Sequence, residues 1–147
     1  MMSRLEYQHK VISTPEHVQG VSIANILSAI ADDKSLVLFN TIAIAGGDSD
    51  ILITRLGVTR KQFYARISAL QKTGLISRRN RQYLLTSLGK IVYDAQLTIG
   101  RATNAFWKLK AIDSLEIGHE LPADEHNKII NTLIDNQDIL RILVKQS

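Results

Sequence analysis

From Val21 onward, apolar residues recur at three- and four-residue intervals, the spacing that gathers them on one side of an α-helix. Ser22 precedes Ile23, Ile26, Leu27 and Ile30 and predicts a capped first helix. Asp32 or Asp33 precedes Leu36, Leu38, Phe39, Ile42 and Ile44 and predicts a second helix, ended by Gly46-Gly47. This second helix is apolar nearly all round and is expected to lie in the core. Asp48 or Ser49 then starts a short helix over residues 50–56, with Ile51, Leu52 and Leu56 inward, its aspartates at the positive end of the dipole, and Gly57 as its stop.

The next stretch has the clearest signals in the chain. Thr59 can cap a helix, Gln62 three positions on can close a capping box, and Val58 can staple against Phe63. Lys72-Thr73-Gly74 supplies a cation in the last turn and a glycine for a left-handed stop, so a helix is predicted over 59–73. Phe63, Ile67 and Leu70 form its narrow inward stripe. The opposite side carries Lys61, Ala65, Ser68 and Lys72, flanked by Arg60, Gln62 and Tyr64, while Arg66 falls towards the edge of the stripe. Tyr64 is equally compatible with half-burial against the segment after this helix. Helix, glycine turn and helix make a helix-turn-helix unit.

After Gly74 the alternating run over 75–85 predicts a β-hairpin with its tip at Asn80-Arg81 and with Arg78, Arg79 and Arg81 crowded there. From Thr86 the pattern is helical again. Leu88, Val92, Ala95, Ile99, Ala102, Phe106 and Leu109 are spaced alternately by four and three, a heptad seam about three repeats long. Gly89 and Gly100 interrupt its helix propensity and leave room for close packing. A connection near 118–122 leads to an amphipathic helix from Ala123 to Leu133 or Ile134, and Asp135-Asn136 can cap a last short helix with Ile139, Leu140 and Leu143. Residues 1–20 show no decisive period and are read as an N-terminal arm. The expected organisation is that arm, a helix-turn-helix and hairpin domain over 21–95 and a C-terminal helical extension over 96–147.

Charge sharpens this picture. The net charge is +4, but residues 51–101 hold ten Lys/Arg and one acid, Asp94, so that segment carries +9 and the remainder −5. No acid occurs between Ile51 and Tyr93. A cationic segment built on a helix-turn-helix points to nucleic acid. At 147 residues there is room for one core domain with extensions. The absence of cysteine removes disulfides, thiolate metal sites and cysteine nucleophiles. The N-terminal residues lack a signal-peptide pattern and the longest apolar run is broken by Asn40 and Thr41, so a cytoplasmic protein without membrane spans is expected.

The order G-V-T-R-K-Q-F-Y (Gly57 to Tyr64), L-Q-K-T-G-L-I (Leu70 to Ile76) and Q-Y-L-L-T-S-L-G-K (Gln82 to Lys90) resembles the winged helix-turn-helix transcriptional regulators, especially the small archaeal ones, over roughly residues 33–95. The resemblance implies a mostly α fold with a small β-hairpin, a winged core carrying helical extensions. It also implies that the helix over 59–73 enters the DNA major groove, with Thr59, Arg60, Lys61, Gln62, Tyr64, Ala65, Arg66, Ser68 and Lys72 as its contact set. Arg78, Arg79 and Arg81 of the wing would reach flanking DNA. Dimerisation is expected through Ala95, Ile99, Ala102, Phe106 and Leu109, unless residues 123–144 fold back over that stripe. Other readings are a winged helix serving as a protein-interaction module of the transcription machinery and a non-specific chromatin-type binder.

No nucleotide-binding, esterase or zinc-protease motif occurs, so neither an enzyme nor a cofactor is expected. The aspartate pairs are better explained as helix caps than as acid/base pairs. His119, Glu120, Asp124, Glu125 and His126 read as a polar loop followed by an acidic helix start rather than as metal ligands. An effector, an operator and the sign of regulation are not encoded legibly.

Overall fold

The computed structural model describes residues 21–116 and 121–144. The expected N-terminal arm, with His9 and His17, and the pair His119 and Glu120 lie outside them. The described chain is mostly α with one two-stranded antiparallel hairpin. One compact unit ends at Tyr93 and a second begins at Asp94. In order, the elements are α1 (Ile23–Ala29), α2 (Asp33–Ala45), α3 (Ser49–Leu56), α4 (Arg60–Lys72), β1 (Ile76–Arg79), β2 (Gln82–Leu85), α5 (Ser87–Asn104), α6 (Phe106–Glu116), α7 (Ala123–Leu133) and α8 (Gln137–Leu143).

Side-chain caps set most of the helix starts. Ser22, Asp32, Asp48 and Asn136 accept backbone N–H bonds at the heads of α1, α2, α3 and α8. Of the alternatives open in the sequence, Asp32 caps α2 and Asp48 caps α3. α4 has the expected capping box: Thr59 Oγ1 accepts the Gln62 N–H at 3.2 Å and Gln62 Oε1 accepts the Thr59 N–H at 3.1 Å. At its other end Gly74 is left-handed, with φ 78°. The Leu75 N–H reaches the Leu70 carbonyl at 3.0 Å and the Gly74 N–H the Gln71 carbonyl at 3.0 Å, which is a Schellman stop.

The first unit closes around Leu38, Phe39, Leu52, Phe63, Leu70 and Leu75, all fully buried. α2 departs from expectation. It buries Leu38, Phe39 and Ile42, but Val37 is 52% and Ile44 77% exposed, because α3 and β2 cover only one side of it. Ile51, expected inward, is 47% exposed, and α3 docks through Leu52 and Leu56. The hairpin pairs Ile76 with Leu85 and Arg79 with Gln82, and the Tyr83 N–H donates to the Gly47 carbonyl at 2.9 Å, tying the α2–α3 connection to β2.

α5 starts against the end of α4. Thr86 N–H donates to the Leu75 carbonyl at 3.1 Å, Thr86 Oγ1 donates to the Gly74 carbonyl, and the Gly89 N–H donates back to Thr86 Oγ1 at 3.0 Å. A Cβ on Gly89 would lie 2.0 Å from the Leu75 carbonyl oxygen. The expected single helix through Leu109 is interrupted: α5 ends at Asn104 and α6 begins at Phe106. The Ala105 N–H is shared between the Arg101 and Ala102 carbonyls, both at 3.1 Å. In the second unit Ile112, Ile130, Ile134 and Ile139 form the core. Buried His126 sets Nε2 against the Glu116 carboxylate, joining α7 to the end of α6.

The two glycines of α5 should therefore behave oppositely. Gly89→Ala should cost at least about 2 kcal/mol, since backbone must move to admit the methyl group. Gly100, where an added Cβ would meet nothing within 4 Å, should gain up to about 1 kcal/mol on replacement by alanine. Urea unfolding of both variants is the check, and equal effects would contradict the close contact at Leu75.

Candidate nucleic-acid interface

α4 presents its charged side outward because Phe63, Ile67 and Leu70 hold the other side in the core. Lys61, Tyr64, Ala65 and Lys72 are exposed and Ser68 is half-buried. No hydrogen bond or ion pair within the described residues occupies the Lys61 or Lys72 ammonium. Thr59 and Gln62 are exposed too, but the oxygens of both side chains are engaged in the capping box, so Gln62 has its amide NH₂ left to offer.

Acids from outside the 51–93 segment fold against this surface. Arg60 Nη2 meets Asp50 Oδ1 of α3 at 2.8 Å, and both groups are exposed. The hydrogen bond to Asp50 and the negative charge of that carboxylate hold the Arg60 guanidinium above its ordinary pKa. Arg66 Nη2 lies 3.4 Å from Asp32 Oδ1, and Nη1 donates to the Gln62 carbonyl at 3.4 Å. The Arg66 side chain is only 25% exposed and lies across the helix towards the cap of α2. The acid-free segment thus gives a surface neutralised at two of its arginines. Linear sequence could not signal this, since Asp50 and Asp32 are ten and thirty-four positions from their partners.

An aromatic contact series links α4 to the hairpin. Phe63 meets the Tyr64 ring edge-on at 5.1 Å and the Tyr83 ring at 6.1 Å, and the Arg78 guanidinium lies 5.6 Å above Tyr83. Tyr64 is 45% exposed, and its ring contact is with its own helix. Strand alternation separates the arginines. Arg78 shares a hairpin face with buried Tyr83, whereas Arg79, paired with Gln82, stands on the opposite face. Asn80 and Arg81 form the tip with φ 51° and 66°, the two left-handed residues of a type I′ turn. An arginine in that conformation costs roughly 1 kcal/mol where glycine would cost nothing.

The five expected dimer residues divide into two groups. Ala102 and Leu109 pack against the second unit's own core, so α7 and α8 do fold back over part of the stripe. Ala95 is exposed, Ile99 is 60% and Phe106 50% exposed, and Trp107, which the heptad reading passed over, is 78% exposed and edge-on to Phe106 at 5.2 Å. Among the described residues no three His, Cys, Asp or Glu side chains are grouped to hold a metal ion, and no helix is long and apolar enough to cross a membrane. No protein-family model, curated protein or solved structure matches the chain.

Hydrogen bonds from the Ser35 side chain and backbone, aided by Arg66, hold the Asp32 carboxyl below its ordinary pKa against the opposing effect of burial. A carboxylate with a lowered folded pKa contributes stability that is complete above its unfolded value, and the contribution is lost as pH falls through the folded one. Asp32→Ala should cost about 1 kcal/mol at neutral pH. The penalty should shrink below pH ~4 as the wild-type carboxyl protonates. Denaturant midpoints across pH 2–7 test this, and a pH-independent penalty would contradict it.

Proposed function

We propose that this chain is a sequence-specific double-stranded DNA-binding protein that regulates transcription, with α4 in the major groove and the arginine-rich hairpin on flanking DNA. The observation that carries the reading is the outward face of α4. On a helix capped at both ends, Lys61, Tyr64, Ala65, Ser68 and Lys72 face away from the core with no acid on the helix itself. The small Ala65 lets a groove approach the backbone, and Ser68 can bond a base edge. Lys61 and Lys72 suit phosphates. Arg81, standing in a left-handed position that costs an arginine conformational energy, supports a role for the hairpin tip.

Arg60 and Arg66 bind phosphate in this reading only by exchanging a carboxylate partner for it, which reduces their contribution. The same two ion pairs favour a second reading, a winged helix used to bind protein within the transcription machinery. The proposed setting is the cytoplasm, and the proposed assembly is a homodimer through Ala95, Ile99 and Phe106, with Trp107 added to the seam. Two copies would place two α4 helices on one face of DNA about 34 Å apart.

Fluorescence anisotropy with selected and random duplexes at two salt concentrations separates the possibilities. Sequence-specific binding gives a preferred duplex, chromatin-type binding gives equal and strongly salt-dependent affinities, and a protein-interaction module gives no binding. Lys61→Ala with Gln62→Ala and Ser68→Ala should weaken the preferred duplex by at least about tenfold. Arg81→Ala should lower the salt slope by about 1. Unchanged affinity in the triple variant would remove α4 from the groove.

Light scattering addresses the assembly. Wild type should be dimeric at micromolar concentration, and Ile99→Asp with Phe106→Asp should be monomeric while its circular dichroism is retained. A folded wild-type monomer would end the dimer reading.

A further inference from the structure

The hairpin face that carries Arg79 does not look towards α4. Together with the C-terminal turn of α2 and the first turns of α5 it encloses a groove of about 830 Å³, within the size range of small-molecule sites. Its apolar wall is Ile42, Ile44 and Leu84, of which Ile44 is 77% and Leu84 40% exposed. Two cations, Arg79 and Lys90, line it together with the Ser87 hydroxyl and the neutral Ser77 and Tyr93. No carboxylate lines the groove, and neither cation has a hydrogen-bond or ion-pair partner among the described residues.

We propose that this groove binds a small organic anion with an apolar body, its carboxylate, sulfonate or phosphate held by Arg79 and Lys90 and its body laid over Ile44 and Leu84. Two features of the groove set that polarity. The α2 end offers carbonyls and apolar side chains, which repel a negative group and accept a hydrophobic one, while the α5 end offers the helix start and Lys90. Two uncompensated cations within one concave, partly apolar surface favour an anion over a neutral ligand, because a charge-assisted hydrogen bond is about twice as strong as a neutral one. Gly46 fits the arrangement, since a Cβ there would come within 3.2 Å of both Leu84 Cδ2 and the Tyr83 carbonyl oxygen, so α2 approaches the hairpin as closely as it does only without a side chain. The groove lies away from α4, and of its two cations only Arg79 belongs to the hairpin proposed for DNA, so Lys90, Ile44 and Leu84 report on this site separately from DNA binding.

The test uses the full chain and the fluorescent anion 1-anilinonaphthalene-8-sulfonate, with the neutral N-phenyl-1-naphthylamine as its uncharged counterpart. Saturable binding of one sulfonate per chain is expected, with amide NMR shifts centred on Gly46, Leu84 and Ser87. Arg79→Gln with Lys90→Gln should weaken the sulfonate at least about tenfold and leave the neutral dye unmoved. Lys90→Gln alone, at an exposed helix position, provides the same comparison if the double variant fails to fold. Equal sulfonate affinity in wild type and variant, shifts centred on Phe106 and Trp107, or no binding to wild type at millimolar dye would each overturn the proposal.

Discussion

The Leu75 peptide is where the first unit is clamped. Its N–H closes the Schellman turn that ends α4, its carbonyl accepts the Thr86 N–H that begins α5, and the same oxygen occupies the space a Cβ on Gly89 would need. The chain leaves this residue as β1 and returns to it as the start of α5, so both ends of the hairpin are anchored there, and the Tyr83 N–H bond to the Gly47 carbonyl ties β2 a second time. Leu75 itself is fully buried. The clamp therefore fixes where the hairpin emerges relative to α4, and with it the position of Arg78 over Tyr83 and of Tyr83 against Phe63.

Positioning a helix outward and giving it free charge are separate achievements here. The first follows from Phe63, Ile67 and Leu70, whose burial turns Lys61, Ala65 and Lys72 to solvent. The second is only partly met, because Asp50 and Asp32 reach Arg60 and Arg66 from neighbouring helices. Ion pairs at the protein surface contribute little to stability, because water screens them. Their larger consequence is electrostatic: an arginine bonded to a carboxylate attracts a polyanion less than a free one. Among the described residues of this surface, the lysines of α4 and the arginines of the hairpin have no carboxylate partner, which shifts the weight of the DNA-binding proposal onto Lys61, Lys72 and Arg81.

The hairpin serves two surfaces because it is a strand pair. Residues two apart share a face, so Arg78 and Arg79, neighbours in sequence, are directed apart. One belongs with α4 and the other with the groove beside α2 and α5. Treating the three arginines as one cluster, as their spacing invites, merges two different environments.

Local chemistry was legible without the structure. Caps at Ser22 and Thr59, the adjacent candidate pairs from which Asp32, Asp48 and Asn136 became caps, the stop at Gly74 and the turn at Asn80-Arg81 each involve residues within five positions of one another, so the sequence contains both partners side by side. The core stripe of α4 was legible for the same reason, since periodicity is a local property. Tertiary structure alone decided which side of α2 is covered, that Ile51 is left exposed, and that Asp50 and Asp32 pair with arginines of α4. It alone broke the long heptad helix at Ala105 and divided its stripe between Ala102 and Leu109 in a core and Ile99 and Phe106 outside it. It also gave opposite meanings to Gly89 and Gly100, identical in the sequence but one against a carbonyl and the other in open space. A residue's spacing fixes the face of the element on which it stands, whereas what meets that face depends on residues brought from elsewhere in the chain.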